Sequence, residues 1–415
     1  MTVKPLNVLT TTTLFPNAAR PSHGIFVETR LRHLVASGDI QLRVIAPVPW
    51  VPAPLIKTKR YAGLAAAPAR ERRFGVPVEH PRYAVIPWLG MSLAPLTLYH
   101  AFRKGMRHLE IEADQIDLID AHYFYPDGVA AALLARELGC PLVITARGTD
   151  LNLIPNYALP RSMILWAARQ ATGLITVCAA LKEVLVGLGV PEEKVRVLRN
   201  GVDLERFRPL DRDTARANLG LSKPTLLSVG HLIERKGHHL VIEALVMLPE
   251  FELLVVGDGE GRGRLEALAQ AAGLSGRVRF MGAVPQSALA ELYSAADALV
   301  LASSREGWAN VLLETLACGT PVVATAIWGT PEVIVDPLVG VLIPERTPHA
   351  IAQGVRRLMA RCPDRAATRA YAEQFSWDAT TAGQVDLFRS LTAAKASGHA
   401  VAEAGAACPP RSSST

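Results

Sequence analysis

Two glutamates, Glu306 and Glu314, have the spacing in this chain that most directly suggests chemistry. They lie in the segment SSREGWANVLLETLACG, residues 303–319, which follows the apolar strand pattern ALVLAS. A strand that passes through a glycine turn into a helix aims free N–H groups and the positive end of the helix dipole at one point, which suits a phosphate. Carboxylates on either side suit hydroxyl groups. The segment therefore predicts a site for a diphosphate with a sugar at each end.

Each glutamate also has an ordinary structural explanation. Glu306 could cap the helix that follows it, and Glu314 could be a solvated position on that helix. The neighbours of Glu314, VLLETLACG, are apolar on nearly every side. A carboxylate among them needs partners or its burial is costly, so we favour a ligand-binding role for Glu314.

Two further strand patterns in the second half end in glycine and charge. Residues 225–230 lead into HLIERKGHH, where Lys236 can reach a phosphate. A charged turn that caps a helix is the competing interpretation. Residues 251–256 lead into the tight turn GDGEG, which begins at Gly257. This turn is not G-x-G-x-x-G, and no acidic residue ends the following strand in the usual place, so a nicotinamide site is disfavoured.

The first half also places polar residues where strands end. His122 closes one strand pattern, and Arg147 and Asp150 close the next. A single histidine at a strand end is more often structural than catalytic. Here two polar clusters follow adjacent strands, and the presence of each one favours a functional role for the other. Gly24 lies in the first strand-to-helix loop, where a missing Cβ would let the backbone approach a ligand closely.

No metal site is expected. Asp211 and Asp213 form a DxD pattern, but they lie in a linker just ahead of a helix, where carboxylates at a helix N-terminus explain them. No cluster of His, Cys, Asp and Glu has the spacing of metal ligands.

A repeated strand–helix pattern must position these residues. Apolar β-like runs alternate with helical runs from residue 6 to 188, and again from 225 to 343. Near-continuous apolar strands alternating with helices predict parallel sheets covered on both faces. We predict an α/β protein of two doubly wound, Rossmann-like domains, with ligands at the carboxyl ends of the strands in a cleft between them.

The predicted N-terminal domain spans 1–203 and the C-terminal domain 204–376, with a charged linker at 206–223. The last helix is expected near 377–391. The small, polar tail 393–415 has the composition of a disordered segment.

Bulk composition fits a soluble globular protein, since half of the 415 residues are hydrophobic and a fifth are charged. The five cysteines show no metal or redox spacing, and three lie in apolar runs, so a reducing cytosol is the simplest compartment. The N-terminal segment lacks the pattern of a signal peptide. No run of about 18 uncharged apolar residues predicts a membrane span.

The net charge of +6 is unevenly spread. Residues 51–110 contain ten Lys and Arg against three Glu, with aromatic side chains interleaved. Such a surface can lie on anionic lipid or on nucleic acid, and an ordinary solvated face is the alternative. Of the two partners we favour an anionic membrane surface, and we expect no nucleic acid.

Several segments together resemble the retaining glycosyltransferases of family 4, which have the GT-B fold. In the second half these are GDGEGRGRLEALA and the continuous run from VRFMGAVPQ to GTPEVI, which includes REGWANVLLE. In the first half, LFPNAARPSHGIFVETRL, DAHYFYPDG and ITARGTDLN resemble the subgroup acting in cell-envelope and exopolysaccharide assembly. The resemblance implies that the N-terminal domain is the acceptor side and that the last helix packs back on it.

The resemblance also implies a role for each candidate residue. Glu306 contacts the donor sugar ring, Glu314 binds the ribose hydroxyls and Lys236 neutralises the leaving phosphate. His122 faces the donor sugar. The other positions line the diphosphate or the cleft: Gly24, Arg147, Asp150, Gly257, Gly307, Trp308, Ala309 and Asn310.

This sequence departs from the family pattern at His231, where many relatives carry an arginine as a second phosphate cation. Histidine is a weaker and pH-dependent cation. Arg235, next to Lys236, is expected to point away from the site.

The implied reaction is a retaining transfer of a sugar from a nucleoside diphosphate sugar to a glycan or polyprenyl-linked acceptor, with no metal and no cofactor. For an enzyme with a lipid-linked or membrane-proximal acceptor, the basic, aromatic segment 51–110 leads us to expect a cytoplasmic protein attached peripherally to the inner face of the plasma membrane. An inactive scaffold subunit and a nucleotide-sugar epimerase of the same fold are the alternatives.

Overall fold

The computed structural model describes residues 4–52, 59–85, 90–361 and 363–406, with the side chains of 59–61, 90 and 394–406 left out. Part of the basic segment 51–110 therefore lies outside the described residues, as do Cys362, Cys408 and the end of the predicted tail from 407 onward. The other three cysteines, Cys140, Cys178 and Cys318, are buried, as their apolar neighbours predict.

The chain divides into two compact units. The first contains the chain up to Thr176, the segment Leu185–Leu198, and everything from Thr381 onward. The second contains Val177–Val184 and Arg199–Thr380. Both units are built on parallel sheet with helices between the strands, so the predicted α/β class is confirmed.

The strands of the first unit are β1 Leu6–Thr11, β2 Ile40–Ile45, β3 Val48–Pro49, β4 Arg70–Arg73, β5 Val76–Glu79, β6 Arg82–Tyr83, β7 Leu118–His122, β8 Leu142–Ala146, β9 Gly173–Thr176 and β10 Val195–Val197. Within the described residues the main sheet has the order β10-β9-β8-β7-β1-β2-β5-β4, and β3 pairs with β6. Among the described strands of that sheet, only β4 runs antiparallel to its neighbour. The order reverses between β1 and β7, which is where such sheets bind ligands.

The strands of the second unit are β11 Thr225–Val229, β12 Glu252–Val256, β13 Val278–Gly282, β14 Ala298–Leu301, β15 Val322–Thr325 and β16 Gly340–Ile343. They form an all-parallel sheet in the order β13-β12-β11-β14-β15-β16. Numbered within the unit, this is the doubly wound order 3-2-1-4-5-6, whose reversal lies between β11 and β14.

The helices, in chain order, are α1 Ile25–Ala36, α2 Lys59–Ala65, α3 Gly90–His108, α4 Val129–Leu138, α5 Thr149–Asn152, α6 Ala158–Gln170, α7 Ala179–Gly187, α8 Arg212–Leu219, α9 His238–Leu245, α10 Arg262–Ala271, α11 Gln286–Ala295, α12 Asn310–Ala317, α13 Thr330–Val333, α14 Pro348–Arg361, α15 Arg365–Glu373 and α16 Trp377–Ala406. Short turns of 3-10 helix include Glu234–Lys236. Helix α16 is longer than the helix expected near 377–391. No described helix has the length and apolarity needed to cross a membrane.

The central strands of both sheets are mostly apolar and are buried on both faces. In β11 and β14 every residue is buried, as a parallel sheet covered on both sides requires. The core of the first unit includes a contribution from the far end of the chain. Phe388 of α16 is fully buried in one cluster with Val44, Val143 and Ile175, so the last helix completes a core that the N-terminal strands begin.

Candidate active site

Lys236 and Glu306 meet at the strand reversal of the second unit. Lys236 follows β11 and Glu306 follows β14, and these two strands are paired in the sheet. The ammonium of Lys236 donates to Oε1 of Glu306 at 2.5 Å, and Ser303 Oγ donates to the same oxygen at 2.7 Å. Glu306 is only 8% exposed. The structure thus brings together two residues that the sequence predicts separately, and it adds Ser303.

Glycines let the loops around this pair approach each other. Gly237 has φ +74, and a Cβ there would overlap the carbonyl oxygen of Ala302 at the end of β14. Gly257 has φ +136, and its Cβ would overlap the carbonyl oxygen of Gly230. Any side chain at these positions would therefore separate the loops that follow three adjacent strands.

The prediction that Arg235 points away is wrong. Its Nη1 donates to the carbonyl oxygen of Arg305 at 2.7 Å and lies 3.9 Å from Oε2 of Glu306. Arg235 and Lys236 share one turn of 3-10 helix, Glu234–Lys236, which presents both side chains to the same loop. Glu306 therefore has a cation near each carboxylate oxygen.

The segment 307–310 leads directly into helix α12. Trp308 and Ala309 are buried, and Asn310 is the first residue of the helix. Ala309 at the N-cap offers no side-chain acceptor to the first helical turn. Asn310 accepts a hydrogen bond from Asn200 at 3.1 Å, which fixes the start of the helix.

Glu314 has the partner that its apolar surroundings demand. The hydroxyl of Tyr293, on α11, donates to Oε2 of Glu314 at 2.8 Å. Burial raises the pKa of Glu314 to about 7, while the Tyr293 bond and the nearby Arg206 act in the opposite direction. Neither Tyr293 nor Arg206 has a spacing from Glu314 in the chain that would predict this contact.

His231 is exposed, and its Nδ1 lies 3.3 Å from the carbonyl oxygen of Asp258. The buried side chain of His238 contacts the backbone of His231. Ser228 Oγ lies 2.8 Å from Nδ1 of His238, whose Nε2 donates to the carbonyl oxygen of His231 at 3.2 Å. Burial lowers the pKa of His238 to about 4, so this second histidine is a neutral structural group.

In the first unit, the residues predicted at two strand ends are in contact. Arg147 Nη2 donates to Nδ1 of His122 at 2.6 Å, and Asp120 Oδ2 lies 3.1 Å from Nε2. Because a guanidinium can only donate, the proton of the neutral imidazole is on Nε2, facing Asp120. His122 is fully buried, and burial is the main reason that its pKa falls to about 4.

Asp120 is in turn held by a side chain from the last helix. Gln384 of α16 donates to Asp120 Oδ2 at 3.2 Å and accepts from Arg30 Nε at 2.6 Å. Arg30, on α1, also donates to the carbonyl oxygen of Leu198 at 3.1 Å. This buried chain of contacts runs from α1 through α16 to the imidazole of His122.

Asp150 binds backbone rather than another side chain. Its carboxylate accepts from the N–H groups of Phe124 at 2.8 Å, Gly148 at 2.6 Å and Arg147 at 3.1 Å. It therefore ties the loop after β7 to the loop after β8. Burial raises the pKa of Asp150, and the three backbone donors oppose that rise.

Gly24 begins α1 with φ +68, and a Cβ there would overlap the backbone of Leu14. The observed reason for this glycine is a close approach between two stretches of backbone. That Gly24 also lines a ligand site stays a prediction.

Asp211 caps α8 by accepting from the N–H of Thr214 at 2.8 Å, which confirms its interpretation as a helix N-terminal carboxylate. Among the described residues, no group of three or more His, Cys, Asp and Glu could hold a metal ion.

A doubly wound sheet with a cation and a carboxylate at its strand reversal is typical of enzymes that bind phosphorylated ligands. The family model for group 1 glycosyl transferases matches residues 211–375, and the Glycosyltransferase Family 4 model matches residues 27–206. A putative teichuronic acid biosynthesis glycosyltransferase of Bacillus subtilis is 30% identical over 370 residues, covering 85% of this chain and 89% of that protein.

A D-inositol 3-phosphate glycosyltransferase of Actinosynnema mirum is 33% identical over 352 residues, covering 76% of this chain and 82% of that protein. Among solved structures, sucrose-phosphate synthase from Thermosynechococcus elongatus has a TM-score of 0.78 at 22% identity, covering 94% of this chain and all of that one. Anabaena HepE, crystallised with UDP and glucose, has a TM-score of 0.70 at 20% identity, covering 92% and 99%.

The chain belongs to the family 4 glycosyltransferases and has the GT-B fold, which confirms the resemblance of its segments to that family. The protein is a glycosyltransferase.

Proposed function

We propose that this enzyme transfers a sugar from a nucleoside diphosphate sugar to a glycan or lipid-linked saccharide, with retention and without a metal. The observation that supports this most is the Lys236–Glu306 pair at the β11/β14 reversal, beside the start of α12. The diphosphate would lie on the first turn of α12, where the backbone of Gly307 to Asn310 and the helix dipole favour an anion.

Lys236 can serve the leaving phosphate and the carboxylate together. An ammonium has three donors, and its bond to Glu306 uses one. As the glycosidic bond breaks, negative charge develops on the nucleoside diphosphate. Lys236 and the N-terminus of α12 would stabilise that charge where it forms, so no metal is needed for this part of the reaction. Gly257 would line the same phosphates, and His231, with one ring nitrogen facing Asp258, would be a secondary contact.

Glu306 and Glu314 would serve opposite ends of the donor. Glu306, held by Lys236 and Ser303, would bind hydroxyls of the sugar. Glu314, fixed by Tyr293, would bind the ribose. HepE, a structural neighbour, was crystallised with UDP and glucose, which supports a donor of this chemical class for the present fold.

The first unit would provide the acceptor side and His122. With Arg147 on one nitrogen and Asp120 at the other, the imidazole is oriented and neutral. We propose that this arrangement, with Gly24 and the loops tied by Asp150, shapes the surface on which sugar and acceptor meet. The acceptor would be an intermediate of envelope or exopolysaccharide synthesis. The Bacillus subtilis relative is named for a pathway of this kind, teichuronic acid biosynthesis.

We also propose that the enzyme attaches to the inner face of a membrane through some of the cations of residues 51–110. Arg73 pairs with Glu28, and Arg82 donates to the carbonyl oxygens of Leu64 and Ala67, so these cations serve the fold. The exposed face of α3 carries the residues that support the proposal: Met91, Leu96, Lys104 and Arg107.

Sedimentation with liposomes would test attachment. Binding to vesicles with anionic lipid, reduced by glutamate at Lys104 and Arg107, supports it; equal and negligible binding to neutral and anionic vesicles contradicts it.

The function is tested by thermal shift with UDP, GDP and ADP, followed by turnover of the corresponding sugar nucleotides. Binding of one nucleotide stabilises the folded state by mass action, and the best base names the donor. Turnover that is lost in Glu306→Ala but kept in the exposed Glu345→Ala supports the transferase. Nucleotide binding without turnover of any donor on a panel of acceptors would indicate a scaffold instead, and interconversion of the free sugar nucleotides would indicate an epimerase.

A further inference from the structure

A cavity of about 230 Å³ lies in the first unit, beside the loops that follow β1 and β2. Much of its wall is apolar, with Phe15, Pro47 and Val48 among the lining residues. Arg20 and Tyr83 place charged and polar groups in the same wall. Pockets for drug-sized ligands have volumes of about 300–1,000 Å³, so this cavity is suited to one sugar residue or one charged group rather than to a nucleotide.

The guanidinium of Arg20 is held in place by its surroundings. The side chain of Asn17 accepts from the backbone N–H of Arg20 at 3.0 Å, which fixes the turn. The aliphatic stem lies against α2, where a Cβ on Gly63 would be 3.3 Å from Cγ of Arg20. Nη2 of Arg20 donates to Nδ1 of His23 at 3.0 Å, and Nε2 of His23 donates to the carbonyl oxygen of Thr13 at 2.9 Å.

Arg20 is a half-buried cation in the wall of this cavity. In the part of the chain that the structure describes, its side chain forms no ion pair with an Asp or Glu carboxylate. Burial lowers the pKa of Arg20, and only the nearby Tyr83 acts in the opposite direction. Arg73 of the same unit, by contrast, has the carboxylate of Glu28 as its partner. An uncompensated cation beside a cavity is costly unless an anion enters.

Tyr83 complements this cation as a hydrogen-bond donor. Burial raises the pKa of Tyr83 well above its usual value, and the charge of Asp127 raises it further. Its hydroxyl therefore keeps its proton at any physiological pH. A guanidinium fork and a phenol donor in one cavity match an oxyanion, since a phosphate or carboxylate accepts from both.

We infer that this cavity receives the anionic group of the acceptor, a phosphate or a uronate carboxylate, with the sugar ring against the apolar wall. Naming the ligand as the acceptor rests on the proposed function, and the donor residues Lys236 and Glu306 lie in the other unit. Arg20 would then be a specificity residue: it would favour charged acceptors over neutral ones without taking part in bond cleavage.

The test is thermal shift and titration calorimetry on the full-length protein at constant ionic strength. The probes are glycerol 1-phosphate, glucuronate and neutral glucose, which separate phosphate from carboxylate and both from an uncharged sugar. At least one of the two anions should stabilise the protein, and glucose should not. Arg20→Gln should weaken that binding by about tenfold to a hundredfold, while Arg136→Gln, which removes an exposed cation of the same unit, should leave it unchanged.

Nucleotide binding, measured on the same samples, separates this inference from the proposed function. Arg20→Gln should bind UDP, GDP or ADP as the wild type does, which also shows that the variant is folded. If Arg20→Gln does not fold, Arg20→Lys keeps the charge but loses the fork, and a several-fold loss of anion affinity is expected. The inference is overturned if neither anion binds, or if the substituted protein binds it as tightly as the wild type. Absence of nucleotide binding would contradict the proposed function alone.

Discussion

The Nζ atom of Lys236 lies 2.5 Å from Oε1 of Glu306, although 70 positions separate the two residues in the chain. Each residue follows its own strand, and the two strands are neighbours in the sheet. The contact joins the loop after β11 to the loop after β14. One hydrogen bond therefore positions both Lys236, which is proposed to bind the phosphate, and Glu306, which is proposed to bind the sugar.

A double-mutant cycle on this pair should be strongly non-additive. Lys236→Ala and Glu306→Ala are each expected to lower the transfer rate by about a hundredfold or more, because each removes a group that acts on the reacting end of the donor. The double variant should lose much less than the product of the two effects, since either single change already disrupts the shared geometry. The measurement is kcat with saturating donor.

Lys223→Ala is the matched control, because Lys223 is exposed in the same unit. It should leave kcat within about twofold of wild type. Strictly multiplicative losses in the double variant would show that Lys236 and Glu306 act independently.

Glu314 should make stability depend on pH in the acid to neutral range. Its folded-state pKa of about 7 lies above the ordinary value of 4.5, so the folded protein holds this proton more tightly than the unfolded chain. The contribution of Glu314 to stability is then full below about pH 4.5 and is lost as the pH rises through about 7. Glu314→Gln, which can still accept from Tyr293, should flatten the decline in the free energy of unfolding across that window.

Urea unfolding at a series of pH values would measure this difference, with the exposed Glu345→Gln as the reference variant. Curves for wild type and Glu314→Gln that stay parallel from about pH 4.5 to 7 would contradict the raised pKa. The same variant should weaken nucleoside diphosphate binding by about tenfold with a smaller change in kcat, because Glu314 is proposed to hold the ribose.

Gln384→Leu should destabilise the first unit and slow transfer. The substitution leaves Arg30 Nε without its acceptor and removes a donor from Asp120, and each buried polar group left unsatisfied costs about 1–3 kcal/mol. Activity should fall as well, since Asp120 would orient the imidazole of His122 less firmly. Denaturant unfolding and kcat are the two readouts.

Gln353→Leu is a suitable comparison, because the Gln353–His349 contact is on the exposed face of α14. It should change stability by less than about 0.5 kcal/mol. If Gln384→Leu loses stability but keeps the wild-type kcat and pH profile, the Gln384–Asp120 contact serves the fold and not the histidine.

Asp150→Asn should separate the two strand-end loops of the first unit. One oxygen would become an NH₂ group facing backbone N–H donors that both carboxylate oxygens now accept from. We expect a loss of about 1–3 kcal/mol in unfolding free energy and a fall in kcat, with donor affinity little changed because the donor residues are in the other unit. Nucleotide affinity that falls in step with kcat would contradict this assignment.

The strand ends that carry the site could be predicted from the sequence, because apolar runs interrupted by glycine mark them directly. The sequence therefore predicts that Lys236, Glu306 and His122 lie at or just after strand ends. The orientation of Arg235 was not predictable, since a turn of 3-10 helix or of α-helix would aim neighbouring side chains differently. Gln384 could not have been found at all: it lies 264 positions from Asp120, and no local periodicity encodes a contact at that separation. The need for a partner at Glu314 was predictable, but its identity as Tyr293 was not.

Helix α16 has a consequence for how the protein is made. Phe388 fills the core of the first unit, yet it is synthesised only after the whole second unit. During translation, part of the apolar face of the N-terminal strands therefore stays exposed until the second unit has been synthesised and α16 can pack against it. A truncated product that ends before Thr381 would keep the complete second unit but leave the first with an open core, and we expect such fragments to be targets for chaperones and proteases rather than functional half-enzymes.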